Sequence, residues 1–317
     1  MTAVPTQPTV AVLVATRDRP DDLARCLPTL LAQRYPTFEV VIADQSTTEE
    51  TRRVVEALGD PRVRYFHDAR AGKSRALNAA AARTAAVVLA LTDDDCTVPP
   101  GWLQRAVDVL AREPDAAIVA GAMLAVAHDW RIEFIPQFAP ARYVRLRGLG
   151  GRLRTPRGTA GGNFVMRADA MRQLHGFDEV LGPGARFRGA EDGDLAYRAL
   201  RAGMVVVEDP ASAVDHWGRR RVADGSAADL HRGYAYAQAA HLTKFVRCGD
   251  PAAAFALARI TAKTGWMIAK NLVRSGRPTG AGQLLNLGRG VVHGARQPLD
   301  RAREQYRPEP APDHVAP

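Results

Sequence analysis

Three consecutive carboxylates, Asp93, Asp94 and Asp95, close the apolar run Ala86-Val87-Val88-Leu89-Ala90-Leu91. At the end of a buried strand they repel one another unless a cation sits among them, and a divalent metal is the simplest such cation. If strand geometry persists, Asp93 and Asp95 point the same way and can share a metal, while Asp94 points oppositely. Oxygen ligands suit Mn2+ or Mg2+, ions that bridge the phosphates of a nucleotide. The same triplet could instead be an acidic turn capping a helix that starts near Pro99 or Gly101. A second acidic group, Glu191-Asp192-Gly193-Asp194, opens a helical pattern carried by Leu195 and Leu200. Acids in a first turn suit the helix dipole of any protein. Beside the glycine-rich approach Gly182-Pro183-Gly184, however, such a carboxylate is also placed to deprotonate an incoming acceptor. His216 follows the apolar Val205-Val206-Val207 and can either complete a metal shell with Asp95 or serve a structural purpose.

The elements that must position these groups are legible as alternating strands and helices. Val10 to Val14, Phe38 to Ala43 and Ala86 to Leu91 are continuous apolar runs of buried parallel strands, with a shorter strand at Val63 to Phe66. Helical spacing joins Leu23, Cys26, Leu27, Leu30 and Leu31, and further helices are expected over Glu49 to Leu58 and Lys73 to Arg83. This alternation predicts βαβ units whose loops gather at the strands' carboxyl ends, so Thr16 to Arg19, Asp44 to Ser46 and Asp93 to Asp95 should converge on one crevice. Neither GxGxxG nor a P-loop follows the first strand.

At 317 residues and 46% hydrophobic, the chain can build one large α/β domain with an appended element, which excludes disorder of the whole. Its organisation reads as a flexible 1–8, a catalytic domain over 9–222, a basic helical region over 223–300 and a disordered tail over 301–317. Met1 to Pro8 lack the pattern of a signal peptide, so a cytoplasmic location is expected. Cys26, Cys96 and Cys248 are read as free thiols, with Cys96 a candidate for alkylation beside the acids. The net charge of +9 is uneven: from Asp215 onward 16 Lys or Arg face 8 Asp or Glu, a net +8. An anionic surface or partner is one reading and an ordinary solvated basic face the other. The arginine-rich stretch Arg142, Arg145, Arg147, Arg152, Arg154 and Arg157 reads as a mobile loop, either a solvated insertion or a lid. Ala252 to Val273 is too charged for a membrane span and suits an amphipathic helix.

In order and spacing, these residues resemble family 2 inverting glycosyltransferases of the GT-A fold. The resemblance rests on Val14 to Pro20, Ile42 to Ser46, Ala71 to Asn78, Leu91 to Asp95, Gly161-Gly162-Asn163-Phe164, Gly176 to Glu179, Glu191 to Leu195 and Val214 to His216. It implies a Rossmann-like, mostly parallel sheet with flanking helices, followed by the basic helical region. It also implies that Asp44 recognises the base, Thr16 and Arg17 line the nucleoside pocket, and Lys73 or Arg75 approaches base or diphosphate, with Asn78 in the same donor-binding set. Asp93 and Asp94 would hold ribose and sugar. Asp95, joined by Asp93 and His216, would hold Mn2+ or Mg2+. Asp192, with Glu191 beside it, would be the base, and Gly162, Asn163 and Trp217 would shape the acceptor or sugar pocket.

The implied donor is a nucleotide-diphosphate sugar, with UDP- and dTDP-sugars favoured. The acceptor is a hydroxyl or amine on a lipid-linked, natural-product or polysaccharide intermediate. No QxxRW motif follows Asp192, which points to single transfers rather than processive synthesis. One of Arg219, Arg220 and Arg221 is expected to contact the diphosphate. A nucleotidyltransferase would carry glycine directly after the first strand, where Thr16 to Pro20 has none; a non-catalytic nucleotide-sugar scaffold would have lost the acids that stand here. No nucleic-acid motif is present, and no nucleic acid is expected as a partner. The aromatic and basic segments His231 to Gln238 and Lys244 to Arg247 are expected either to dock on the anionic inner face of a membrane or to pack on the catalytic domain.

Overall fold

The computed structural model describes residues 7–154, 161–278 and 280–308. In chain order the elements are β1 (Val10–Thr16), α1 (Pro20–Leu31), β2 (Phe38–Asp44), α2 (Glu50–Leu58), β3 (Val63–His67), α3 (Lys73–Ala81), β4 (Val88–Asp93) and β5 (Cys96–Thr97). There follow α4 (Trp102–Arg112), β6 (Ala116–Ala125), β7 (Glu133–Phe134), β8 (Val144–Leu146), α5 (Gly148–Arg154), β9 (Phe164–Arg167), α6 (Ala168–Gln173), α7 (Glu191–Arg201), β10 (Val205–His216) and β11 (Arg220–Arg221). The chain closes with α8 (Ser226–Arg247), α9 (Pro251–Ser275), α10 (Ala281–Arg296), β12 (Leu299–Asp300) and β13 (Gln305–Tyr306).

Nine of the described strands form one sheet in the order β3-β2-β1-β4-β9-β6-β10-β5, with β8 on β10. The long ladders, β3-β2-β1-β4 and β6-β10, are parallel; the antiparallel pairings are shorter. Alternate residues of β1 enter different cores. Val10, Val12 and Val14 pack under α1 and α4, while Ala11 and Leu13 pack under α3, α6 and α7. A sheet covered on both faces explains why its strands read as unbroken apolar runs. Each fully buried Val or Leu contributes about 1.5–3 kcal/mol relative to exposure. The register sets Thr16 against Asp44 and Ala15 against Asp93, which brings three strand ends together.

The arginine-rich segment is not a mobile loop over 144–154. β8 pairs with β10, and α5 follows it. Arg145 and Arg147 bind Asp115, and Arg154 binds Glu208. The partners of these arginines lie far away in sequence and satisfy charges that looked unpaired. Arg157 lies outside the described residues. The tail is likewise ordered as far as 308: β12 and β13 form a hairpin, and buried Tyr306 packs on Phe187 and donates its backbone N–H to Asp178 Oδ2 at 2.8 Å. Residues 309–317 lie outside the described residues, as do 1–6, while the carbonyl of Pro8 accepts a hydrogen bond from the Tyr35 hydroxyl at 2.7 Å.

Helix α8 is tied to α7 and to the 176–179 turn through charges that are fully buried. Lys244 Nζ contacts Asp178 Oδ2 at 2.7 Å and Asp194 Oδ1 at 2.5 Å. Asp194 also holds Arg198 at 2.8 Å and His241 at 3.2 Å. Lys244 and Phe245 have no exposed surface and belong to the core, whereas Val246 and, in the other segment expected as a possible membrane contact, His231, Arg232 and Tyr234 are exposed. α10 lies closely on α8 because Gly290 and Gly294 leave no Cβ: one built at Gly290 would stand 2.3 Å from the Tyr236 carbonyl oxygen and 2.8 Å from Ala239 Cβ. Among the described residues no helix is long and apolar enough to cross a membrane.

Candidate active site

β4 ends at Asp93, and a turn at Asp94–Asp95 precedes β5. The turn cancels the expected strand alternation. Asp94 and Asp95, rather than Asp93 and Asp95, share a cation, the guanidinium of Arg19, at 3.2 and 3.1 Å. Asp94 Oδ2 also accepts from Thr16 Oγ1 at 2.8 Å. Burial, reinforced by the Asp95 charge, pushes the Asp94 carboxyl up to about 7 against the pull of Arg19. Burial acts the same way on Asp95, but the hydrogen bond and charge of His216, with Arg19, outweigh it and bring Asp95 down to about 2. Asp93 instead pairs with the Lys73 ammonium, which also lies 3.6 Å from Glu191. Burial alone would lower the Lys73 ammonium; Asp93 and Glu191 reverse this and hold it well above its ordinary value.

The acidic helix α7 is preceded by Ala190, the capping residue, which adopts a left-handed φ of +69°. Glu191 is buried, and that burial, only partly opposed by Lys73, raises its carboxyl to about 7. Asp192 is half-buried and faces the cavity; its Oδ1 accepts from the backbone N–H of Gly193 at 2.8 Å. A Cβ placed on Gly161 would stand 3.4 Å from both Asp192 Oδ2 and Lys73 Nζ, so the carboxylate and the ammonium converge on that glycine.

A cavity of about 940 Å3 joins these groups. Thr16, Arg17, Lys73, Asp93, Asp94, Asp95, Gly162, Glu191, Asp192 and His216 all line it. Five expected residues do not. Asp44 is buried behind the wall, where it accepts from Ser46 N at 2.8 Å and the Tyr65 hydroxyl at 2.7 Å. Asn78 donates to the Phe177 carbonyl and Glu179, and Arg75 pairs with Glu179, so both brace the 176–179 turn. Asn163 is fully buried between the Ala122 and Ser212 carbonyls and the Trp102 indole N–H. Trp217 lies on an adjoining cavity of about 270 Å3, bordered by Arg19, Arg25, Arg219 and Arg220, with the Arg25 guanidinium 5.0 Å from its ring centroid. Arg220 lines both cavities, whereas Arg219 is drawn 3.2 Å from Glu133.

Residues without an assigned role in the sequence complete the walls. Gln45 bonds the backbone of Gly72 in both directions, at 3.0 and 3.2 Å, and so holds the loop that presents Lys73. Tyr234 and Gln238 reach the cavity from α8, beyond the segments that carry the resemblance. Their only sequence signal was an aromatic, basic helix.

The structure brings Asp95, Cys96 and His216 within ligand distance of one another; Asp93 is not in that group. His216 Nε2 lies 3.3 Å from Asp95 Oδ1, and its Nδ1 is 2.7 Å from the Pro136 carbonyl. A proton on Nδ1 leaves Nε2 as the ligand nitrogen, an outer contact typical of metal-binding histidines. Cys96 is fully buried, and burial beside Asp93 and Asp95 raises its thiol well above the ordinary value, so it is not the alkylation target expected. A Cβ on Gly218 would stand 2.5 Å from His216 Nε2 and 2.6 Å from Asp95 Oδ2, so the missing side chain leaves a cradle between an imidazole and a carboxylate. An imidazole nitrogen beside a carboxylate oxygen is a donor set for a divalent metal ion. Gly218→Ala is expected to weaken Mn2+ binding by about 10–100-fold or more, read from free Mn2+ by electron paramagnetic resonance. Unchanged binding would place the ion elsewhere.

A covered, mostly parallel sheet with acids at its carboxyl edge and a second acidic helix across the crevice is the architecture of a GT-A glycosyltransferase. The chain belongs to glycosyl transferase family 2, whose family model matches residues 11–174. It is 29% identical over 218 residues to the glucosyl-dolichyl phosphate glucuronosyltransferase of Haloferax volcanii, covering 65% of this chain and 68% of that protein. It is 31% identical over 190 residues to the O-antigen biosynthesis protein RfbC of Myxococcus xanthus, covering 54% of this chain but only 15% of that protein. Among solved structures, the mannosyltransferase PcManGT from Pyrobaculum calidifontis, in complex with GDP-Man and Mn2+, shares the fold with a TM-score of 0.62 at 21% identity, covering 92% and 89% of the two chains.

Proposed function

We propose that this glycosyltransferase makes single, inverting transfers from a nucleotide-diphosphate sugar to an acceptor hydroxyl or amine. The observation that carries the reading is the convergence of Asp192 Oδ2 and Lys73 Nζ on Gly161, in the cavity that also holds Asp95 and His216. Asp192 takes the acceptor proton as the acceptor atom bonds to the anomeric carbon from the face opposite the diphosphate, and the bond from that carbon to the diphosphate oxygen breaks. Lys73 and Arg220 stabilise the charge on the departing diphosphate. Asp95 and His216 would hold Mn2+ or Mg2+, which when bound supplies further charge neutralisation there. Thr16 and Arg17 line the nucleoside end, and Asp44, fixed by Tyr65 and Ser46, supports that loop from behind.

The glucuronosyltransferase relative, whose name specifies a dolichyl phosphate-linked acceptor, supports a lipid-linked acceptor here. The donor base is read as uracil or thymine; the GDP-Man held by PcManGT makes guanine the necessary comparison. Binding and hydrolysis of UDP-, dTDP- and GDP-sugars, with and without Mn2+, test the reading, and the anomeric configuration of a transferred product tests inversion. Metal-dependent donor binding that is lost in Asp95→Ala is expected. Binding of no nucleotide sugar under any metal condition would overturn it.

A further inference from the structure

Helix α9 presents a surface that the transfer chemistry does not use. Phe255, Ala262, Trp266, Ala269 and Val273 recur at i, i+7, i+11, i+14 and i+18, which puts them on one stripe of the helix. The stripe is exposed, Trp266 to 70% and Val273 to 87%. Arg259, Lys263, Lys270 and Arg274 lie roughly 40–100° further round, at about 100° per residue, and form a cationic flank beside it. α10 repeats the pattern with exposed Leu285 and Val292 beside Arg289 and Arg296. From Ala252 to Leu299 the chain carries seven Lys or Arg and no Asp or Glu.

We propose that the α9–α10 hairpin docks the protein on an anionic lipid bilayer, with the apolar stripe in the acyl–headgroup boundary and Lys263, Lys270 and Arg274 on headgroup phosphates. Charge complementarity selects this occupant. A second copy would oppose cations with cations, and a nucleic acid would leave Trp266 and Val273 in water. The opposite faces of the same two helices line the 940 Å3 cavity, through Ile260 and Thr264 of α9 and Gln283 and Leu287 of α10. Docking on the outer faces therefore holds the hairpin, with the cavity behind it, against the membrane surface. Its purpose rests on the lipid-linked acceptor read above; the docking itself does not.

Flotation of the whole protein with vesicles tests the proposal, using phosphatidylcholine alone and an equimolar mixture with phosphatidylglycerol. The parent should float with the mixed vesicles and lose this at high salt. The charge reversal Lys263→Glu, Lys270→Glu, Arg274→Glu should reduce vesicle binding by about 100-fold or more. Trp266→Ser with Val273→Ser should reduce it by about 10-fold. These positions are exposed and do not line the cavity, so metal-dependent hydrolysis of the soluble donor should match the parent. That assay reports the transfer reading separately from the docking. A parent that does not float, or flotation that survives both variants, overturns docking. Loss in the charge-reversed variant alone, accompanied by binding of the parent to duplex DNA, assigns the face to nucleic acid and overturns it. So does a parent dimer that dissociates in the Trp266 variant.

Discussion

Asp192→Asn is expected to lower kcat by about 10²–10⁴ while donor affinity stays at the parental level. Asparagine keeps the shape of aspartate and can still accept from the Gly193 N–H through its amide oxygen, so the start of α7 should not move. What disappears is the capacity to take a proton at the oxygen facing the cavity. Glu191→Gln gives the contrast: Glu191 is buried against Lys73 and serves to position that ammonium. Its loss should therefore affect donor binding together with turnover. Calorimetric donor binding and steady-state turnover on the two variants separate these roles. An Asp192→Asn enzyme that keeps more than about a tenth of parental kcat would remove Asp192 from the proton transfer.

Lys244→Met should destabilise the fold by about 3–5 kcal/mol, since it leaves the carboxylates of Asp178 and Asp194 buried with one cation fewer. Replacing the pair together, Lys244→Met with Asp178→Asn, should restore part of the loss, because no charge is then left unpaired at position 178 and Asp194 keeps Arg198 as its partner. Urea midpoints measure both, and a cost below about 1 kcal/mol for the single variant would show that Arg198 and His241 suffice. The same network fixes an acid dependence. Burial would raise the Asp194 carboxyl, but Lys244 and Arg198, with His241, hold it far below its ordinary value. A depressed carboxyl contributes stability above its unfolded value near 3.9 and loses it as pH falls toward the folded value. The stability gap between parent and Asp194→Asn should therefore be flat from pH 7 to about 5 and shrink below about 4. A gap that changes between pH 5 and 7 would contradict this assignment.

The strand ends that carry Thr16, Asp44 and Asp93 were legible because strands buried on both faces read as unbroken apolar runs, and parallel register does the rest. The orientation of the acids was not. Alternation fails at the Asp94–Asp95 turn, and the partners that decide it, Arg19 and Lys73, lie far off in sequence. Arg145, Arg147, Arg152 and Arg154 looked unpaired for the same reason, since Glu113, Asp115, Asp250 and Glu208 reach them only through the fold. Asn78 and Asn163 occur in motifs that line the crevice, yet their amides are used up on backbone carbonyls. Gly218 is invisible in the sequence as a site residue because its contribution is an absent side chain, recognisable only once His216 and Asp95 stand on either side of it.

The buried contact between Lys244 and the first turn of α7 makes the C-terminal helices mechanically inseparable from the chemistry. A helix supplied by the last third of the chain anchors the turn that presents Asp192, and the same helix lends Tyr234 to the cavity wall. Helices α7 and α8 should therefore unfold together, as one transition in calorimetry, and the end of the recognisable motifs near Trp217 is a boundary in the sequence rather than in the folded molecule.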